Sequence, residues 1–165
     1  MSRQYGFSFD QTKCIQCHGC ELACKTWRLL EAGIRWRQVK TLWSGHYPQI
    51  KNLSLSLACM HCHDPQCMAV CPEAAITKRE PDGIVVVDPG RCTGCQACQD
   101  ACPFSVPQYG ADGQMQKCDL CYQQVDLGTH APPCVATCPT AALAVRPMSG
   151  EDKKAVEDAA LAMLT

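Results

Sequence analysis

Short apolar runs of β-prone residues are spread along this chain, and each is bounded by a turn or by a cysteine-rich segment. Two of the runs lead through an aspartate into cysteines, and two follow a Cys-Pro pair. They lie at residues 7–9, 84–87, 74–76 and 141–145. Turn sequences at 81–83 and 111–113 predict hairpins between such runs. The pattern predicts a repeated unit of strand, cysteine loop, short helix around the last cysteine, Cys-Pro and strand.

Two further segments carry clear periodicity. The alternating run at 53–57, Leu-Ser-Leu-Ser-Leu, predicts a strand with one apolar face. Residues 149–165 predict a helix, because Ser149 and Asp152 fit a capping box. Its expected apolar face consists of Val156, Ala159, Ala160, Met163 and Leu164. We expect this helix to pack on the body of the protein or on a partner.

The longest segment without cysteine spans residues 31–58 and contains Trp36, Trp43 and Tyr47. Exposed aromatic residues are typical of docking surfaces, whereas buried ones form cores. We favour a small organic core here.

Sixteen cysteines fall into four groups of four, and none is left over. Proline follows three of the groups, where its missing amide hydrogen and fixed φ turn the chain out of a helix. The first group lacks this proline, so its helix is expected to continue for one or two turns. The groups are Cys14, Cys17, Cys20 and Cys24; Cys59, Cys62, Cys67 and Cys71; Cys92, Cys95, Cys98 and Cys102; and Cys118, Cys121, Cys134 and Cys138.

The spacing of these cysteines favours iron–sulfur clusters over two other uses. The first and third groups read C-x2-C-x2-C-x3-C, the bacterial ferredoxin run for a [4Fe–4S] cluster. Disulfides are disfavoured, because regular runs of four do not resemble a disulfide framework and the start lacks an apolar signal segment. A zinc structural protein remains an alternative, since the fourth group alone would pass as a zinc site. Sixteen thiolates predict four [4Fe–4S] clusters and a protein that moves electrons.

Composition agrees with an interior that is largely inorganic. The chain has 165 residues, about one domain, of which only 6% are aromatic. Because a metal site does not exist in the unfolded chain, metal binding contributes folding energy. We therefore expect the apoprotein to be unfolded or molten.

Charge gives no case for nucleic-acid binding, since the formal net charge is −1. Four oxidised clusters with their thiolates add roughly −8. Four basic residues lie beside cluster ligands and either offset this charge or are solvated surface residues. They are Lys13, Lys25, Arg91 and Lys117.

No catalytic constellation stands out, and no run approaches the roughly 20 apolar residues of a membrane span. Contact with a membrane therefore requires a partner. His18, His61 and His63 lie among the cysteines, where we expect them to donate hydrogen bonds to sulfur or to face solvent rather than bind iron. His130 is expected to be an ordinary loop residue.

In two-cluster ferredoxins the fourth cysteine of each run binds the other cluster. Each cluster then takes three cysteines from one group and one from another. The residues alone do not show which groups are partners, because turn-linked strands occur both between groups two and three and between groups three and four.

The chain resembles the four-cluster iron–sulfur subunit of the dimethyl sulfoxide reductase family, which also serves polysulfide reductases and formate dehydrogenases. The resemblance covers about residues 4 to 147. Its motifs are Gln4-Tyr5-Gly6-Phe7, the run Cys20-Glu-Leu-Ala-Cys24-Lys, Cys59-Met-His-Cys62-His-Asp-Pro-Gln-Cys67, Asp82-Gly83-Ile-Val-Val-Val-Asp88, Ala101-Cys102-Pro103-Phe104 and Lys117-Cys118-Asp119-Leu120-Cys121.

The resemblance implies an α+β fold of two interleaved ferredoxin-like modules. Groups one and four pair in a module at 1–58 with 108–147, groups two and three pair in an inserted module at 59–107, and 148–165 is a C-terminal helix. The implied ligand sets are Cys14, Cys17, Cys20 and Cys138 (cluster 1), Cys118, Cys121, Cys134 and Cys24 (cluster 2), Cys59, Cys62, Cys67 and Cys102 (cluster 3), and Cys92, Cys95, Cys98 and Cys71 (cluster 4).

The resemblance also implies a function and partners. The chain is expected to relay single electrons between a molybdopterin (molybdenum or tungsten) catalytic subunit and a quinone-reactive membrane anchor subunit or another redox protein. The alternative is a free polyferredoxin or a hydrogenase-linked iron–sulfur protein. Two locations stay open, the cytoplasm or the periplasm after export with a signal-bearing partner.

Overall fold

The computed structural model describes residues 4–164, which form short helices and short strands joined by tight turns. The strands are β1 (Gln4–Phe9), β2 (Arg37–Ser44), β3 (Lys51–Ala58), β4 (Ile76–Lys78), β5 (Val85–Val87), β6 (Gln108–Tyr109), β7 (Met115–Gln116) and β8 (Leu143–Met148). The helices are α1 (Gly19–Trp27), α2 (Gln66–Ala69), α3 (Ala97–Asp100), α4 (Pro133–Ala136) and α5 (Gly150–Ala162). This mixture of helices and small sheets is α+β, as expected. The predicted module and helix boundaries include residues 1–3 and 165, which lie outside the described residues.

The strands pair in four antiparallel sheets of two strands each: β1 with β8, β2 with β3, β4 with β5, and β6 with β7. The β1–β8 pair joins opposite ends of the chain, with Phe7 opposite Val145 and Phe9 opposite Leu143. Helix α1 contacts α4, and α2 contacts α3. These contacts bring the first cysteine group beside the fourth, and the second beside the third.

The predicted turns are confirmed. Residues 79–84 close the β4–β5 hairpin, where the amide of Arg79 donates to the carbonyl of Ile84 over 2.9 Å. The turn between β6 and β7 closes with a bond of 3.0 Å from the Gly113 amide to the Gly110 carbonyl.

The prediction of a helix around the last cysteine is wrong for groups two, three and four. Helices α2, α3 and α4 contain the third cysteine of their groups and end before the last one. The last cysteine precedes a proline in each case, and a residue before proline disfavours helical conformation. Helix α1 lacks that proline and, as predicted, continues beyond Cys24 to Trp27.

Two predictions for residues 31–58 are also corrected. Trp43 is 67% exposed and Tyr47 is 88% exposed, so the core interpretation is wrong for both. They lie at the outer end of the β2–β3 hairpin, whose first residues on β3 are exposed. Only Trp36 packs against the core, and its indole nitrogen donates to Gln116 over 3.0 Å. Strand β3 is buried on both faces from Ser54 onward, rather than on one.

Cysteines form part of the apolar interior. The larger buried cluster combines Phe7, Leu55, Ile84 and Phe104 with four cysteines, and a smaller one surrounds Cys98. The cysteines of the larger cluster are Cys24, Cys59, Cys118 and Cys134. The core is therefore built around the sulfur atoms.

The C-terminal helix α5 begins with the predicted capping box, in which the Ser149 hydroxyl accepts from the Asp152 amide over 3.1 Å. Its buried face differs from the predicted one: Ala160 is buried, Ala159 is exposed, and Lys153 is 0% exposed. Among residues 4–164, no helix has the length and apolar character needed to cross a membrane.

Candidate metal centres

All sixteen cysteines lie in the described part of the chain, and none of them forms a disulfide. One set surrounds a cavity with an empty volume of about 340 Å³. Its cysteine lining is Cys71, Cys92, Cys95 and Cys98. Three of these belong to the third group and one to the second, so the cavity joins the two groups.

A second cavity repeats this arrangement with the first and fourth groups. Its empty volume is about 350 Å³, nearly the same as that of the first cavity. It is lined by Cys14, Cys17, Cys20 and Cys138.

The remaining eight cysteines form two further sets. Cys62, Cys67 and Cys102 line one cavity beside α5, and Cys59 is close enough to raise the pKa of both Cys62 and Cys67. In the other set, Cys24 and Cys134 each raise the pKa of Cys118 and of Cys121. Two of the predicted sets thus line a cavity in full, and the cysteines of the other two lie near one another.

Two cysteine loops share an unusual backbone. Gln16 and Gly94, each two residues after the first cysteine of its group, have φ of 56° and 71°. His18 and Gln96, two residues further on, have φ of 57° and 65°. Left-handed conformation is costly for residues with a Cβ. Its repetition at matching positions indicates that both loops wrap around the same kind of group.

Burial makes several of these sulfurs weak acids. Burial, together with neighbouring charges, raises the pKa of Cys24 and Cys67 to about 11. The pKa of Cys62 and of Cys121 is raised to about 12, again chiefly by burial. Thiolates at such positions require a strong Lewis acid that displaces the proton, and iron supplies one.

Hydrogen bonds point at the sulfurs from the surrounding loops. Backbone amides donate to Cys59, Cys71, Cys92 and Cys118 over 3.3–3.4 Å. The Tyr109 hydroxyl lies 3.1 Å from the Cys98 sulfur. Such bonds stabilise the charge on thiolate ligands and tune their clusters.

Within residues 4–164, no three His, Cys, Asp or Glu side chains are gathered closely enough to bind a single metal ion. A cubane cluster accepts its four thiolates on four separate iron corners, so its ligands surround a volume rather than meet at one atom. The two cavities lined by four cysteines each fit such a group.

The histidines have different roles. His61 is 0% exposed, and its Nδ1 accepts from the Val85 amide over 3.1 Å. Burial and the nearby Lys117 and Lys153 hold the pKa of His61 well below its usual value. His18 contacts Glu21 at 3.1 Å, while His63 and His130 are exposed. His61 therefore supports β5 through Nδ1, while its Nε2 is buried without a hydrogen-bond partner within residues 4–164, so a hydrogen bond from this ring to sulfur stays a prediction.

The four basic residues beside the ligands also lie in different environments. Lys13 pairs with Asp10 at the surface, Arg91 is exposed, and Lys25 donates to the carbonyls of Glu31 and Ile34. Lys117 is buried and donates to the carbonyl oxygens of Val85 and Cys118.

Sequence reasoning missed two buried cations, Arg37 and Lys153. Arg37 is 1% exposed, and the thiols of Cys20, Cys24 and Cys118 lie among its neighbours. Lys153 lies near Cys59 and Cys62. Neither residue is near a cysteine in the sequence. The only signal for such residues was the negative charge expected around four clusters, because buried cations would offset it.

The comparisons define the class of the protein. Residues 50–147 match the family described as the 4Fe-4S dicluster domain, and residues 11–27 match the 4Fe-4S binding domain. The protein is therefore an iron–sulfur protein of ferredoxin-like type.

Named proteins with similar sequences indicate which kind of iron–sulfur protein this is. The B subunit of the anaerobic dimethyl sulfoxide reductase of Escherichia coli is 41% identical, over 99% of this chain and 83% of its own length. The formate dehydrogenase iron-sulfur subunit of Wolinella succinogenes is 45% identical, over 70% of this chain and 59% of its own. The thiosulfate reductase electron transfer subunit of Salmonella typhi is 35% identical, over 87% and 76%.

The chain belongs to this family of iron–sulfur electron-transfer subunits of oxidoreductases. Its cofactors are [4Fe–4S] clusters, and its sixteen cysteines match four of them.

Proposed function

We propose that this chain relays single electrons through four clusters between a molybdopterin-containing catalytic subunit and a second redox partner. The second partner is a quinone-reactive membrane subunit or another redox protein. The observation that carries the proposal is the gathering of cysteines from different groups around common cavities. Relatives named as subunits of dimethyl sulfoxide reductase, formate dehydrogenase and thiosulfate reductase support a catalytic partner.

In the proposed assignment each cluster is held by three cysteines of one group and the last cysteine of its partner group. Cys14, Cys17, Cys20 and Cys138 hold cluster 1; Cys118, Cys121, Cys134 and Cys24 hold cluster 2; Cys59, Cys62, Cys67 and Cys102 hold cluster 3; and Cys92, Cys95, Cys98 and Cys71 hold cluster 4. The cysteine linings of the cavities support the sets of clusters 1 and 4 in full and three ligands of cluster 3.

The same assignment implies two interleaved modules. Module A comprises residues 1–58 with 108–147, and module B is the insertion 59–107. The β1–β8 pairing and the α1–α4 contact support module A, and the α2–α3 contact supports module B.

The residues of this chain hold, insulate and orient the clusters. When bound, a [4Fe–4S] cluster exchanges one electron at a time. Buried apolar residues exclude water from the thiolates, and backbone amides stabilise their charge. Crossed ligands keep the two clusters of a module close together.

Purification from the native organism under anaerobic conditions tests the function. We expect about 16 iron atoms per chain and a stable complex with a large subunit that contains a pterin cofactor. A monomer that exchanges electrons with many unrelated enzymes would instead identify a polyferredoxin. Stoichiometric zinc without iron would end the cluster assignment.

The variant Cys24→Ser tests the crossed ligands. Cys24 belongs to the first group, but it neighbours Cys118, Cys121 and Cys134. We expect loss or conversion of cluster 2, with cluster 1 retained, in EPR spectra of the reduced protein. The matched variant Cys20→Ser should damage cluster 1 instead. If Cys24→Ser damages the cluster held by Cys14 and Cys17, the crossed assignment is wrong.

A further inference from the structure

Arg37 is a fully enclosed cation with an unusual environment. It opens strand β2, its side chain is 1% exposed, and its guanidinium lies over the Phe7 ring at 4.0 Å. No carboxylate forms an ion pair with it among the residues that the structure describes. A buried charge without a counter-ion is costly. Some other negative group must therefore compensate it.

The surrounding sulfurs identify that group. The cysteines that interact electrostatically with the guanidinium are Cys134, Cys118, Cys20 and Cys24. In the proposed ligand sets, Cys20 belongs to cluster 1 and the other three belong to cluster 2. The guanidinium thus lies near cysteines of two proposed clusters, each of which would carry about −2 with its thiolates.

Hydrogen bonding connects Arg37 to one of these sulfurs. Its Nη1 donates to the Ser56 hydroxyl over 3.0 Å, and that hydroxyl lies 3.4 Å from the sulfur of Cys20. Its Nε and Nη2 are buried and have no hydrogen-bond partner within residues 4–164. Buried donors are rarely left unpaired. Thiolate or sulfide atoms of a cluster are acceptors of the kind these nitrogens lack.

We infer that Arg37 sets the reduction potentials of clusters 1 and 2, acting as a shared cation between them, with Ser56 as its link to Cys20. This inference rests on the proposed ligand sets. Reduction adds one electron to a cluster that is already negative, and a fixed positive charge nearby favours the reduced form. Arg37 therefore raises both potentials relative to those without it.

Arg37 acts by placing a positive charge near the clusters. Its effect is therefore measured as a reduction potential rather than as a turnover rate. The purified holoprotein, or its complex, is titrated with redox mediators while the four clusters are followed by EPR. In Arg37→Met we expect the potentials of clusters 1 and 2 to shift negative, while those of clusters 3 and 4 stay near wild type. Arg37→Lys keeps the charge and should shift them much less.

Two further variants sharpen the test. Arg146→Met removes the same charge from an exposed position on β8 and should leave all four potentials near wild type. Ser56→Ala removes the hydroxyl that bonds both Arg37 and Cys20 but keeps the charge of Arg37, so cluster 1 should shift negative and cluster 2 should not.

The outcomes separate this inference from the proposed function. Wild-type protein without about 16 iron atoms would contradict the proposed function itself. With iron present, unchanged potentials in Arg37→Met, or a shift confined to clusters 3 and 4, would overturn the role of Arg37. If Arg37→Met loses clusters 1 and 2, Arg37→Gln repeats the test. Loss in both neutral variants but not in Arg37→Lys supports the shared charge, and equal loss in Arg37→Lys overturns it.

Discussion

At the scale of single residues, Gly94 has a tightly constrained place in its cysteine loop. It lies between Cys92 and Cys95 with φ of 71°, and a Cβ built on it would meet the backbone carbonyl oxygen of Gly113. Gly94→Ala therefore combines backbone strain of about 1–2 kcal/mol with a clash against backbone that cannot rotate away. We expect weakened or lost cluster 4, measured as iron per chain and as the EPR signal of that cluster.

The chain offers a matched control for this substitution. Gly113 has almost the same φ, 73°, but nothing lies within 4 Å of its Cβ position. Gly113→Ala therefore costs only the backbone strain and should retain the iron of cluster 4. Equal iron content in the two alanine variants would show that the approach of the Gly113 carbonyl is not a constraint.

At the scale of elements, helix α5 forms one wall of the cavity that contains Cys62, Cys67 and Cys102. Glu157 on this helix accepts from the His63 amide over 2.9 Å and so ties the helix to the cysteine loop. Ser149→Ala removes the helix cap, at a cost of about 1 kcal/mol, which corresponds to about a five-fold increase in helix opening. We expect cluster 3 to bleach faster in air, measured by visible absorbance and EPR.

A substitution that keeps the cap provides the control for α5. Ser149→Asn retains an oxygen acceptor for the Asp152 amide without placing a second carboxylate beside Asp152, so its rate of bleaching should stay near wild type. If all four clusters bleach faster to the same extent in Ser149→Ala, the cause is global unfolding. That result would contradict a local role for the helix.

The elements differ in how far the sequence predicts them. The strands predicted at 84–87 and 141–145 and the cap at Ser149 follow local rules, and the structure confirms the cap and both strands, although β5 begins at Val85 and β8 at Leu143. Strand β2 was missed because it begins with a buried arginine, and a buried arginine is compatible with the core only when negative clusters surround it. Lys153 escaped notice for a similar reason, since the groups that offset its buried charge include Cys59 and Cys62 from a distant part of the chain, in addition to Glu157 on the same helix.

At the scale of the whole molecule, no strand pairs with more than one other strand in the part of the chain that the structure describes. Hairpins and two-stranded pairs are marginally stable by themselves. No local pattern specifies the pairing of β1 with β8, because the two strands lie at opposite ends of the chain. Cohesion between the sheets must come from long-range contacts, and both buried apolar clusters include cysteines.

This architecture predicts that removal of iron abolishes the cooperative fold. Each proposed cluster cross-links two groups of cysteines, whereas the remaining core has few aromatic residues, 6% of the chain. Metal-dependent domains of this kind lose the folding energy that metal binding supplies. Anaerobic treatment with a chelator and reductant should therefore eliminate cooperative thermal unfolding and near-ultraviolet circular dichroism. Protein carried through the same steps without chelator should keep both signals, and a chelated protein that still unfolds cooperatively would show that the polypeptide alone supports the fold.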